Sequence, residues 1–259
     1  MLAYIEIAGR FVISLIFVFM WAVYSKDLKQ FFSSLTGYIA IIVFLLLNGL
    51  FLFVFPETSI FDFGYASLDK FFELAPWILL LLIPAVTMRS FSDEFRSGTF
   101  EILQTKPVSH TSVVLGKYLA ALLVIVIALV PTLIYVVSIS NLSTSGGLDR
   151  GALAGSYIGL VLLAAVFAAI GICCSSFTSN PVVAFIAAAF FCFFLYNGFK
   201  AVSLIPSLAG KFDYYVEMLG IDFHYHNISR GVIYTRDLVY FFSLIFICLS
   251  LTRWNLAKR

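Results

Sequence analysis

Apolar residues in this chain come in long unbroken runs rather than in the one-sided stripes of a helix that faces water. A helix needs about 20 mostly apolar residues to cross about 30 Å of hydrocarbon. Six stretches meet or approach that length. Gly37 to Phe55 carries no charge and stops at Pro56 and Glu57. Phe71 to Met88 has a shorter apolar core, with Glu73 and Trp77 at its outer end. Its Pro76 and Pro84 predict bends whose freed carbonyls are satisfied by neighbouring helices. Tyr118 to Ile139 holds Pro131, Ala152 to Cys174 follows, and Pro181 to Phe199 opens with a proline in its first turn. Leu238 to Thr252 is the sixth, and it spans only if Val232 to Asp237 extends it into the outer interface. The predicted fold class is all-α, a polytopic membrane protein with six transmembrane helices over residues 37–259.

The pattern differs upstream. Trp21, Tyr24, Leu28, Phe31, Phe32 and Leu35 recur at helical spacing, while Lys26, Asp27, Lys29, Gln30, Ser33 and Ser34 fill the opposite face. This predicts an amphipathic helix over residues 20–36 that lies in the inner interface and leads into the first span. The apolar run Phe11 to Phe19 is too short to cross comfortably, and no Ala-x-Ala cleavage site followed by a soluble exterior domain marks a signal peptide. Met20 is read as the natural start and residues 1–19 as an upstream extension.

Composition agrees with the pattern. Of 259 residues 62% are hydrophobic, 17% aromatic and 12% charged, and the mean hydropathy is +1.03. Soluble domains carry about 25% charged residues, so a water-soluble globule is excluded. The abundance of phenylalanine and tyrosine excludes disorder, and a net charge of +2 leaves no basis for binding nucleic acid. Cys173, Cys174, Cys192 and Cys248 sit in apolar runs without metal or redox spacing.

Charge placement sets the orientation. One side holds nine bases, Lys26, Lys29, Arg89, Arg96, Lys106, Lys117, Arg253, Lys258 and Arg259, against four acids. The other holds six bases against nine acids and has the long loops. The first side is predicted to be cytoplasmic, with the C-terminus, in a bacterial inner membrane.

Five of the spans, 37–55, 118–139, 152–174, 181–199 and 238–252, contain no Asp, Glu, Lys, Arg or His. Ion-coupled carriers and voltage sensors keep ionisable groups at membrane depth despite the cost, so this chain is a poor candidate for either. It also lacks intramembrane protease motifs and a phosphate-binding loop, so it is not read as an enzyme, and energy for uphill movement must come from a partner.

Outside the spans, His224-Tyr225-His226 sets two imidazoles on one face of a segment read as extended. Spacing identifies no third ligand, which favours a polar turn at the outer surface over a metal site. Asn227-Ile228-Ser229 matches the glycosylation pattern but is discounted for want of a eukaryotic secretory context.

The most informative segment runs from Met88 to Ser109 and on to Val114-Leu-Gly-Lys-Tyr-Leu-Ala120. Asp93, Glu94 and Arg96 precede a flexible Ser97-Gly98 break. Thr99 is then predicted to cap a short helix, Phe100 to Thr105, ended by Pro107. Phe100 and Leu103, with Ile102, face one way; Glu101 and Gln104 face another. Such a knob, with an apolar anchor and a positioned carboxylate, fits a groove of a soluble partner. An ordinary solvated loop tucked against headgroups fits the same residues.

These residues resemble the loop of ABC-2 type ABC transporter permeases: an acidic and basic run, Ser/Gly-Thr-x-Glu-x-Leu, Thr/Ser-x-Pro, then Leu-Gly-Lys. Here they are Asp93, Glu94, Arg96, Ser97, Gly98, Thr99, Glu101, Leu103, Thr105, Pro107, Leu115, Gly116 and Lys117. The resemblance covers most of the chain from Met20. It is similar to the gliding-motility permeases of Bacteroidetes through Leu46 to Leu52, Leu74 to Leu79, Ile83 to Glu94 and Ile228 to Phe241. Phe95 departs from the pattern, which commonly has a basic residue there.

The resemblance implies the permease subunit of an ATP-binding-cassette exporter, with no cofactor of its own. ATP is used by a cytosolic ABC ATPase, and a second permease subunit, identical or sister, completes the membrane part. The loop helix, Phe100 to Thr105, passes ATPase closure to the spans. The outer loop before the sixth span re-enters the lipid, so that Gly220 to Tyr234, with His224, His226, Ser229 and Arg230, forms a plug. Arg230 and Arg236 are then interfacial or paired, with Asp222 or Asp237. The alternative is a non-transporting scaffold that drives mechanical work on envelope proteins.

Overall fold

The computed structural model describes residues 2–55, 68–106, 108–142, 149–205 and 213–259, and among them there is no strand. The chain opens with α1 (Leu2–Ser33) and α2 (Leu35–Phe53). Their segments Val18–Ser33 and Gly37–Phe53 meet at 70°. A Cβ on Gly37 would stand 2.6 Å from the Phe31 carbonyl oxygen, so the tight approach at this bend requires glycine. α1 runs unbroken through Met20 and ends at Ser33, three residues short of the boundary read from the sequence.

α3 (Asp69–Thr87) passes through Pro76 and Pro84 and continues beyond Met88 as α4 (Arg89–Ser97). The acidic and basic run expected as loop is therefore two and a half turns of helix that prolong a span. Gly98, at φ 71°, turns the chain into α5 (Thr99–Gln104). α6 (His110–Leu129) follows, capped by the Ser109 hydroxyl, and passes through a tight turn at Pro131 into α7 (Leu133–Leu142). α8 (Arg150–Phe177) starts where the Asp149 carboxylate accepts from the amides of Gly151 and Ala152 at 2.9 and 3.2 Å. α9 (Pro181–Phe193) starts at an Asn180 cap and widens into a π turn at Phe194–Gly198 before α10 (Phe199–Ser203). α11 (Asp213–Glu217), α12 (Ile221–Ser229) and α13 (Thr235–Ala257) complete the chain.

Among the described residues, five helical stretches are long and apolar enough to cross a bilayer: Asp69–Ser97, His110–Asn141, Gly151–Phe177, Pro181–Ser203 and Thr235–Ala257. The bent pair Val18–Ser33 and Gly37–Phe53 counts as a sixth if it is taken as one broken span. The last helix begins at Thr235, so its 23 residues supply the extension that the apolar run alone lacked. At 1.5 Å per residue it is about 35 Å long.

α8 is the central column. Leu163 to Ala169 are all buried, and it packs on α3, α4, α6, α9, α12 and α13. Its alanines and glycines explain how so many neighbours reach one helix, because small side chains let backbones approach closely. α9 and α13 instead leave Ile186, Phe190, Phe242 and Phe246 exposed. Such apolar surface is untenable in water and ordinary against lipid. The chain is a multi-pass membrane protein.

Candidate functional site

Most of the sequence-predicted residues gather at the end of the bundle formed by α4, α5, the last two turns of α1, the first turns of α6 and the C-terminus. α5 is anchored by rings. Phe100 is buried, and its ring meets Phe95 edge-on at 5.0 Å and Phe91 at 6.4 Å. Phe91 and Phe95 stack at 6.0 Å, and the Arg259 guanidinium lies 4.0 Å from the Phe95 centroid. Phe95, the departure from the permease pattern, is thus the middle ring of a cluster that welds α4 to α5.

Half-buried Leu103 lines a small cavity with Phe100, Val113 and Leu256. The other face of the knob is open: Glu101, Ile102, Gln104 and Thr105 are exposed, Ile102 to 63%. Ile102 was grouped with Phe100 and Leu103 in the sequence reading and lies on the free face instead. Thr99 does not cap α5. Its hydroxyl turns to Ser97 at 2.9 Å and the Glu94 carbonyl at 3.5 Å, because Gly98 already occupies the cap position in a left-handed conformation. Arg96 is exposed on the last turn of α4. Pro107 lies outside the described residues.

Glu94 turns into a charge cluster within the bundle. With Asp27 of α1 it holds Lys117 of α6, only 2% exposed, at 3.0 and 3.1 Å. The third Lys117 proton goes to the Ser90 carbonyl at 2.7 Å, and Lys26 reaches Glu94 at 2.6 Å. All three ammonium donors are used. The amphipathic reading placed Asp27 on a solvated face; the structure turns it inward because α1 crosses α6 at Gly116, where a Cβ would meet the Met20 carbonyl at 2.8 Å. In the sequence Lys117 stands out only as the end of Leu-Gly-Lys and as one of the nine bases on its side. Its signal was the cost of a lone lysine in the first turns of an apolar helix. Asp93 is half-buried and lines a cavity beside this cluster.

Ser175 of α8 reaches across to the α3–α4 joint. Its oxygen accepts from the amides of Phe91 and Ser92 at 2.9 and 3.2 Å and its hydroxyl donates to the Met88 carbonyl at 3.2 Å. Ser92 also donates to the Met88 carbonyl. These bonds satisfy backbone groups at the break between α3 and α4. Asn255 of α13 donates to the Ser176 carbonyl at 2.6 Å, which ties the C-terminal helix to the same place.

At the opposite end, the segment read as extended is the helix α12. Residues two apart point to opposite sides of a helix, so His224 is buried and His226 exposed, and they share no face. His224 is instead clasped by Asp237 at 2.7 Å through Nδ1 and by the Met218 carbonyl at 2.9 Å through Nε2. Both ring nitrogens thus face oxygen atoms. Arg236 stands 3.7 Å from Asp237, Asp222 pairs with Lys200 at 2.8 Å, and Arg230 is exposed. Of the pairings foreseen for the two arginines, only Arg236 with Asp237 is present, and Asp237 is held mainly by the imidazole.

α12 lies in a groove on α8 made by Gly155 and Gly159. A Cβ on Gly155 would reach Gly231 at 2.8 Å, and one on Gly159 would reach Ile228 at 2.9 Å. Ser156 donates to the Ser229 carbonyl at 2.6 Å and Tyr225 to the Phe72 carbonyl at 2.7 Å. Burial, with Asp222 nearby, pushes the Tyr225 phenol well above its ordinary value, so it remains a donor.

A membrane bundle with a helical knob at one end and a tucked-in helix at the other fits a permease, and comparison with known families agrees. No individual curated protein matches the chain. The profile described as ABC-2 family transporter protein matches residues 12–250. The chain belongs to the ABC-2 family of transporter membrane proteins.

Proposed function

We propose that this permease is driven through α5 by a cytosolic ABC ATPase, whose hydrolysis of ATP powers export or envelope work. The observation that carries the reading is the split character of α5: Phe100 is buried among rings of α4, while Glu101 and Ile102 stand free on the outer face. An exposed isoleucine beside a carboxylate on a rigid two-turn helix is suited to a groove in a partner protein. Further support is that Lys26, Arg89, Arg96 and Arg259 belong to the same end of the bundle, which makes it the cytoplasmic one by the positive-inside rule. The C-terminus is then cytoplasmic and the membrane a bacterial inner membrane.

In this reading a push on α5 moves α4, because the three rings couple them. α4 moves α8 through Ser175 and moves α1 and α6 through Glu94 and Lys117. A second permease subunit covers the apolar faces that one copy leaves open. α12, in its glycine groove, serves as the outer plug. The segments Ile83 to Glu94 and Ile228 to Phe241 support a role linked to gliding motility.

The test uses the tagged full chain purified from its native membrane. An ATPase with a phosphate-binding loop co-purifies and hydrolyses ATP. Glu101→Lys and Ile102→Asp each lower its recovery about tenfold or more, as loss of a hot-spot contact does, without changing the thermal midpoint of the permease. Leu103→Asp is a poorer probe, because it disrupts the anchor. Full recovery and unchanged hydrolysis in both surface variants would remove α5 from the mechanism.

A further inference from the structure

A cavity of about 680 Å³ lies between α1, α2, α3 and α6, with Phe185 of α9 at its edge. It is open along one side, where Ile39, Val43, Trp77 and Leu81 are exposed. Its two ends differ in chemistry. Asp27, Gln30, Arg89, Asp93, Glu94 and Lys117 line one end; beyond them the wall is apolar as far as Trp77. Twelve residues of helix separate Arg89 from Trp77, about 18 Å of rise. Half of the hydrocarbon core is about 15 Å, so the apolar shaft is as deep as one leaflet. The volume falls within the range of about 300–1,000 Å³ typical of ligand pockets.

The polar end lacks donors. Lys117 is fully used by Asp27, Glu94 and the Ser90 carbonyl, and Lys26 is bonded to Glu94 Oε1 and stands 3.9 Å from Asp27 Oδ1, beyond hydrogen-bond reach; Asp27 Oδ1 and Glu94 Oε2 are buried without a hydrogen bond. Buried carboxylate oxygens left this way are costly unless a cationic donor reaches them. Arg89 is exposed at the same rim and forms no ion pair with another described residue. The lining therefore asks for an ammonium and a phosphate on one head, above a chain one leaflet long.

We propose that this cavity holds a single phospholipid with a phosphoethanolamine head. Its ammonium donates to Asp27 Oδ1 and Glu94 Oε2, its phosphate meets Arg89, and an acyl chain follows the wall of α2 and α3. With Lys26 on Glu94, the three carboxylates of the lining are matched by three cations, a balance that suits a zwitterionic head rather than an anionic one. The site needs no ATPase and stands apart from the docking surface on α5.

The test is tryptophan quenching in the full chain, reconstituted in phosphatidylcholine nanodiscs doped at equal mole fraction with brominated-chain phosphatidylethanolamine, phosphatidylcholine or phosphatidylglycerol. Subtracting a Trp77→Phe variant isolates the tryptophan that lines the shaft. The ethanolamine lipid quenches Trp77 at about tenfold lower mole fraction than the choline lipid, the worth of a charge-assisted hydrogen bond that a quaternary head cannot make. Asp27→Asn removes this preference. Ala85→Phe, which fills the shaft and leaves every charge in place, abolishes specific quenching even if Asp27→Asn fails to fold. Equal quenching by all three heads, preference for phosphatidylglycerol, or quenching unaffected by Ala85→Phe overturns the proposal. So does absence of quenching together with a cross-linked dimer, which would mean that a second copy covers the opening.

Discussion

At the scale of single residues, Lys117 decides how three helices meet. An ammonium buried at the crossing of α1, α4 and α6 is tolerable because two carboxylates and a carbonyl take all its protons. Removing it leaves Asp27 and Glu94 buried close together with only the half-exposed Lys26 beside them. Lys117→Met should therefore cost about 3–5 kcal/mol, read as a lowered thermal midpoint in detergent. Adding Glu94→Gln should cost less than the sum of the single changes, since both act on one network. Strict additivity would show that the pair does not hold the crossing. The lysine and both acids stood in plain view in the sequence. Their convergence did not, because helical spacing assigns Asp27 to the polar face of α1 and says nothing about which helix that face meets. The same holds for Phe95: a family pattern marks it as odd, and only the positions of Phe91, Phe100 and Arg259 give the ring its place.

At the scale of elements, what was legible followed from hydrophobicity, and what was not followed from polar segments that fold by contact. The apolar runs from Phe71 onward located the five long spans among the described residues, since about 20 apolar residues leave few alternatives in lipid. The charged stretch Arg89 to Ser97 and the mixed stretch Ile221 to Ser229 carry no such signal, and both are helices. α4 continues a span and is held by Ser175; α12 exists in a groove that only Gly155 and Gly159 leave open. The small-xxx-small spacing of those glycines was the available clue. Gly159→Val should push Ile228 away, with overpacking worth about 1–3 kcal/mol. It should break the Tyr225–Phe72 and Ser156–Ser229 hydrogen bonds, seen as faster hydrogen exchange along α12 and a lowered midpoint. Gly49→Ala, whose new Cβ stands at an ordinary 3.6 Å from the Tyr135 hydroxyl, serves as the control and should leave α12 protected. Unchanged protection in Gly159→Val would mean that α12 is held from its α13 side alone, through His224 and Asp237.

At the scale of the whole molecule, the question is whether the two ends communicate. α8 is the common member: Ser175 and Ser176 bind the α3–α4 joint and α13 at one end, while Gly155, Ser156 and Gly159 bind α12 at the other. About sixteen residues of helix, some 24 Å of rise, connect them. A column buried along this length moves as one body, because close-packed interiors transmit displacement rather than absorb it. The weakest link in this chain is the Ser175 hydroxyl, one oxygen serving two amides and a carbonyl. Ser175→Ala leaves Phe91 and Ser92 with buried unpaired N–H groups, a loss of about 1–3 kcal/mol. In the isolated protein, exchange at those two amides should accelerate while α12 stays protected. In the complex with the proposed ATPase, the partner should still bind, since α5 is untouched. A spin-label pair at Gln104→Cys and His226→Cys, with Cys174 and Cys248 replaced by alanine, should then lose most of its ATP-dependent distance change. If the change persists at full amplitude, the two ends are coupled through α6 and α13 rather than through α8.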